Sequence, residues 1–153
     1  MIACNLDRHF RNDKRMTFFT SNEADAHFTV FGHRFMLTHG DSLGTKGGDG
    51  IIGAIGPIVR GTLKTGRNAA QIGRDFDTLV IGHWHQSINI PGLICNNSLK
   101  GYDEYAYTNN FSFEEPQQAM WINHPRHGIT FRMPVNCEKG GAKAVSPWAS
   151  VQK

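Results

Sequence analysis

Apolar and polar positions along the chain fall into short blocks separated by glycine-bearing gaps. Residues 27–31 and 34–38 are rich in β-branched and aromatic side chains and join at Gly32-His33, which predicts a β-hairpin. Leu79-Val80-Ile81 is an uninterrupted apolar run, so 77–81 is expected to be a buried strand. Shorter strands are expected at 87–90, 93–96, 118–123 and 128–133. The stretch from Gly56 to Arg74 carries Ile58, Val59, Leu63, Ala69, Ala70 and Ile72, which predicts one or two helices interrupted near Gly61 and Gly66. Residues 40–56 hold the cluster Gly44-Thr45-Lys46-Gly47-Gly48-Asp49-Gly50 and read as a long loop. Residues 8–16, with Arg8, Arg11, Asp13, Lys14 and Arg15, read as a surface loop or short helix, and 139–153 as a frayed tail. The sum is an α/β chain with a strand-rich second half.

Composition narrows the class. A chain of 153 residues supports one domain with a core, and 39% hydrophobic with 19% charged residues is a globular balance. The net charge of +3 suits a phosphate-bearing substrate but is too small to argue nucleic-acid binding alone. Cys4, Cys95 and Cys137 form no C-x-x-C pair, which fits reduced thiols in a cytosolic protein. No apolar run has the length of a membrane span, and the start is too soon charged for a signal peptide. The expectation is a soluble, cytoplasmic protein. There is no G-x-S-x-G elbow and no zinc-finger spacing.

The chemistry concentrates where apolar runs stop. Met36-Leu37-Thr38-His39-Gly40-Asp41 and Leu79-Val80-Ile81-Gly82-His83-Trp84-His85 each end in glycine and histidine. Ligands of open α/β sheets bind at the carboxyl ends of strands. On extended backbone, residues two apart point the same way, so His83 and His85 would face one cavity and Trp84 would face away. Gly82 would remove a Cβ where backbone passes close to the site. The bland readings are that His83 and His85 are partly buried histidines bonded to backbone, and that His39 is an ordinary strand-end histidine with Asp41 a turn or helix cap. Two such strand ends in one short chain favour a metal site of His39, His83 and His85, and zinc, manganese, iron or nickel all suit imidazole.

Other signals are weaker. Gly48-Asp49-Gly50-Ile51-Ile52-Gly53 matches G-x-G-x-x-G, but no strand immediately precedes it, so it reads as a loop with Lys46 or Arg60 available to a phosphate. In the polar segment 96–105, Lys100 or Tyr102 could touch substrate, although composition favours a solvated turn.

Thr38-His39-Gly40-Asp41 followed by Gly82-His83-Trp84-His85 resembles the last two metal-binding blocks of calcineurin-like metallophosphoesterases. The segment Asn97-Ser98-Leu99-Lys100-Gly101-Tyr102-Asp103-Glu104-Tyr105 resembles the stretch that follows in phage-encoded members. The resemblance covers roughly residues 20–137. It implies a β-sandwich of two mixed sheets with flanking helices, four-layer α/β/β/α in the intact family. This chain would be the carboxyl-terminal half, with the domain at 1–137 and a flexible tail at 138–153. It implies two divalent ions, of which this chain holds one or both: His39 and His83 on one, His85 on the other. A metal-bridging hydroxide would hydrolyse a phosphate ester, and nuclease, cyclic-nucleotide phosphodiesterase and phosphoprotein phosphatase share these motifs. A phage-encoded protein acting in the host cytoplasm fits the same picture.

The family's D-x-H block and its G-D block with a bridging aspartate are absent. Its G-N-H block matches only Cys4-Asn5-Leu6-Asp7-Arg8, with Asn5 at the metal-binding asparagine and Leu6 at the catalytic histidine. Four neutral ligands leave ion–ion repulsion, about 332/(εr) kcal/mol per unit-charge pair, without an offsetting carboxylate. Neither Asp41 nor Asp49 sits at the bridging position. The resemblance therefore implies an amino-terminally truncated phosphoesterase, weak or inactive alone, with a second polypeptide as the source of the missing half. Two alternatives stand beside it. One is a non-catalytic nucleic-acid accessory using Lys46, Arg60, Lys64, Arg67 and Arg74. The other is a mononuclear zinc protein with a three-histidine site.

Overall fold

The first hairpin turns one residue earlier than the sequence suggests. Val30 pairs with His33, and the two residues between them, Phe31 and Gly32, have φ of 50° and 81°. Positive φ at both positions is the geometry of a type I′ turn, whose twist matches that of paired strands. The structure, a computed structural model, describes residues 2–19, 23–43, 55–108 and 113–137. Residues 44–54, which include Lys46 and Asp49 of the expected loop at 40–56, and residues 138–153 lie outside the described residues.

In chain order the elements are α1 (Ile2–Phe10), β1 (Asp25–Val30), β2 (His33–Thr38), a 3₁₀ turn (Asp41–Leu43), α2 (Ile55–Gln71), β3 (Thr78–Ile81), β4 (Ile88–Ile90), β5 (Leu93–Cys95), α3 (Glu104–Thr108), β6 (Gln117–His124) and β7 (Gly128–Asn136). Strands β1–β5 form one mixed sheet in the order β1-β2-β3-β5-β4, and β6 and β7 form a second, two-stranded sheet. Strands β2, β3 and β5 run parallel at the centre, and β1 and β4 lie antiparallel at the edges. A parallel pair needs a crossover, which α2 supplies between β2 and β3. A central parallel strand is covered on both faces, and all four residues of β3 are buried.

Alternation along β3 separates two apolar clusters. Leu79 and Ile81 join Met36, Leu43, Leu93 and Cys95 under Ile58 of α2, which is fully buried. Val80 points the other way and joins Phe35 and Ile94 against Ala119, Trp121 and Ile129 of the second hairpin. Helix α2, the five-stranded sheet and the β6–β7 sheet are thus three layers. The chain has an α/β fold with a mixed sheet and few helices.

Two expectations need correction. Helix α2 is continuous across Gly61 and Gly66, because burial of one face outweighs the propensity cost of glycine: Gly61 is buried. Residues 8–16, expected as a surface loop or short helix, are the end of α1 and a turn in which Asp13 accepts from both the backbone and the guanidinium of Arg15. The segment after β5 contains α3, capped by Asp103, whose Oδ1 accepts from Ala106 N at 2.9 Å.

Candidate metal centre

Adjacent parallel strands bring their carboxyl ends to the same edge, so β2 and β3 deliver His39 and His83 side by side. Gly82 N donates to His39 O at 3.1 Å, extending the pairing one step past both strands. Gly40 is necessary here. Its φ is 104°, and a Cβ would lie 3.3 Å from Gly82 O, 3.3 Å from Ile81 Cβ and 3.5 Å from His83 Cβ. At Gly82, where sequence reasoning placed the close approach, the nearest atom to a Cβ would be His39 O at 3.9 Å, an ordinary contact. His83 Nδ1 and His39 Nε2 stand 3.2 Å apart in hydrogen-bond contact, with ring centroids 5.0 Å apart and planes at 75°. Both side chains are solvent-exposed.

The backbone after β3 is not extended. Trp84 N donates to Gly82 O at 2.8 Å around His83, whose φ is 68°, so His83 sits at the apex of a γ-turn of the strained, positive-φ kind. His85 also has positive φ, 52°. Alternation along extended backbone therefore does not hold across His83-Trp84-His85. His83 meets His39. Trp84 packs against the α2-side core and meets the His83 ring edge-on at 5.9 Å. His85 meets the Tyr105 ring of α3 at 6.2 Å.

His85 has its own surroundings. With Asn97, Ser98, Gly101, Tyr102, Ala106 and Glu114 it lines a cavity of about 10 Å³. Glu114 Oε2 accepts from Ser87 N at 2.8 Å and from Asn97 Nδ2 at 2.9 Å. Asn97 is 8% exposed and also donates to Glu115 O, while its Oδ1 accepts from Ser98 N. Gln118 accepts from Asn96 and donates to Asn97 O, tying this end of β5 to β6. The Lys100 ammonium pairs with Asp103 and, with the Ala106 N–H, holds that carboxyl below the usual carboxylate range; a charged His85 nearby acts in the same direction. Lys100 Nζ also lies 5.8 Å from the Tyr105 ring centre.

The other expected site residues are scattered. Asn5 and Leu6 lie exposed on α1, and no hydrogen bond of the described residues joins Asn5 to the strand-end histidines. Residues 4–8, the match to the G-N-H block, lie within α1. Arg60 is exposed on α2, as are Lys64 and Arg67. Arg74 pairs with Glu23. Asp41 turns back to accept from Ser42 N at 2.9 Å. Among the described residues no three His, Cys, Asp or Glu side chains converge to hold one ion. The polar network of Asn97, Glu114 and Gln118 went unnoticed in the sequence. The one available signal was a pair of asparagines directly after an apolar strand.

No family model matches the chain, and neither a curated protein nor a solved structure matches it. No helix among the described residues is long and apolar enough to cross a membrane.

Proposed function

We propose that the chain is a metal-dependent phosphoesterase domain of the calcineurin-like type. His39 and His83 hold one divalent ion, and His85 serves a second position. The observation that supports this most is the 3.2 Å separation of His83 Nδ1 and His39 Nε2. Two imidazole nitrogens on one tetrahedral zinc, each roughly 2.0–2.1 Å from the ion, stand about 3.3 Å apart. The two rings thus have the spacing of neighbouring ligands. A divalent ion held there would supply activated water for hydrolysis of a phosphate ester. The residues' own part is to hold two neutral nitrogens at an exposed sheet edge. Gly40 permits the close strand approach, and Trp84 anchors the turn that presents His83. In this reading Tyr102 borders the site beside His85. Lys100 reaches a phosphate only by leaving Asp103.

Neutral imidazoles do not offset the charge of two close divalent ions. Turnover by this chain alone is therefore expected to be slow, with a second polypeptide completing the site. The same imbalance favours a second reading, a single zinc held by histidines. Metal content after dialysis against zinc or manganese separates these readings, with a His83→Ala/His85→Ala control. Two ions lost together in the control support the dinuclear site, and one tightly held zinc supports the mononuclear one. No ion above the control refutes both. A model phosphodiester assay with manganese then tests hydrolysis.

A further inference from the structure

We infer that Glu114 is the positioning residue of the His83–His85 loop, an inference that rests on reading those histidines as metal ligands. The loop from Gly82 to Ser87 leaves β3 and joins no strand until Ile88. It holds His83 and His85 at φ of 68° and 52°. Such backbone persists only where its surroundings over-determine it. On one side the restraint is the Trp84 N to Gly82 O bond and the packing of Trp84 against the core. On the other it is Glu114.

The loop ends at Ser87, whose N–H donates to Glu114 Oε2 at 2.8 Å across 27 residues of sequence. That same oxygen accepts from Asn97 Nδ2 at 2.9 Å. Asn97 is itself fixed, buried and bonded to Glu115 O and Ser98 N. Glu114 therefore joins the histidine loop, the end of β5 and the segment entering β6 at a single atom. Bonds to an ionised acceptor are shorter and stronger than neutral ones. The Glu114 side chain also lines the small cavity on His85, so the restraint acts beside the imidazole it positions. Groups that orient metal ligands without touching the metal commonly set affinity.

The experiment compares the full chain with Glu114→Ala, Glu114→Gln and Ser87→Pro. Zinc affinity is read by chelator competition, the metal-free imidazoles by nitrogen-correlated NMR, and folding by circular dichroism. Glu114→Ala is expected to weaken zinc binding by about tenfold or more and to move the His83 and His85 resonances. Glu114→Gln keeps an acceptor oxygen and stays within about threefold of the parent. Ser87→Pro removes the donor, leaves the carboxylate in place and is expected to reproduce the loss, which keeps the test open should Glu114→Ala fail to fold. A lowered melting temperature with unchanged zinc affinity and unchanged histidine resonances in Glu114→Ala would overturn the inference. Should the parent chain bind no zinc, the metal reading fails, and the metal-free histidine spectra still decide the role of Glu114.

Discussion

Replacing Gly40 by alanine adds one methyl group where the carboxyl ends of β2 and β3 touch. The new Cβ would stand 3.3 Å from both Gly82 O and Ile81 Cβ and 3.5 Å from His83 Cβ, on a residue with φ of 104°. Left-handed backbone costs an L-residue roughly 1–2 kcal/mol, and φ here lies beyond the left-handed helical value. Overpacking at a tight contact adds roughly 1–3 kcal/mol. The total is about 2–5 kcal/mol. For a chain of this size each kcal/mol lowers the melting temperature by roughly 2–4 °C, so the expected fall is about 4–20 °C. Gly82→Ala is the internal comparison. Its Cβ meets nothing nearer than 3.9 Å, and Gly82 is not among the positive-φ glycines, so the cost is expected to be under about 1 kcal/mol. Thermal and urea unfolding followed by circular dichroism reads both variants. A Gly40→Ala variant that melts within about 2 °C of the parent would refute the reasoning. So would a Gly82→Ala variant that loses as much as Gly40→Ala.

Further outcomes follow from the core and from the charged groups. Ile58 is fully buried, with 0% accessibility, and Ile58→Ala is expected to cost about 2–5 kcal/mol in urea unfolding. The Arg34 guanidinium holds the Asp77 carboxyl at about 2. Since this lies below the unfolded value of roughly 4, the ion pair stabilises the fold above that pH and its contribution is lost as pH falls from about 4 to about 2. Asp77→Asn is therefore expected to flatten the acid limb of a stability-against-pH curve over that window, measured by urea midpoints. Burial pushes the Cys95 thiol up to about 12, while Cys4 is exposed. Under native conditions near neutral pH a maleimide should label Cys4 rapidly and Cys95 only after denaturant is added, as mass spectrometry of the peptides would record.

The strand ends were legible because their signal is local. Met36-Leu37-Thr38-His39 and Leu79-Val80-Ile81 carry the apolar runs of central strands, and each announces its end with glycine and histidine. The two-state choice for α2 was not legible. Gly61 reads locally as a breaker, whereas its burial decides that it stays helical. The direction of His85 was likewise hidden. Alternation assumes extended backbone, and the chain instead turns at His83 and again at His85. Glu114 carried no signal at all, since its partners Ser87 and Asn97 are distant in sequence.

By itself the sequence determined the α/β class, the first hairpin and the two histidine-bearing strand ends, because periodicity and turn chemistry act over a few residues. Tertiary structure decided that β2 and β3 are adjacent and parallel, which sets His39 against His83. It also decided that His85 lines a cavity with Glu114 and Tyr102. Those outcomes depend on which apolar faces bury against each other, and on one carboxylate that satisfies donors from two distant segments. Such choices are made by burial and long-range hydrogen bonding, and local pattern does not encode them.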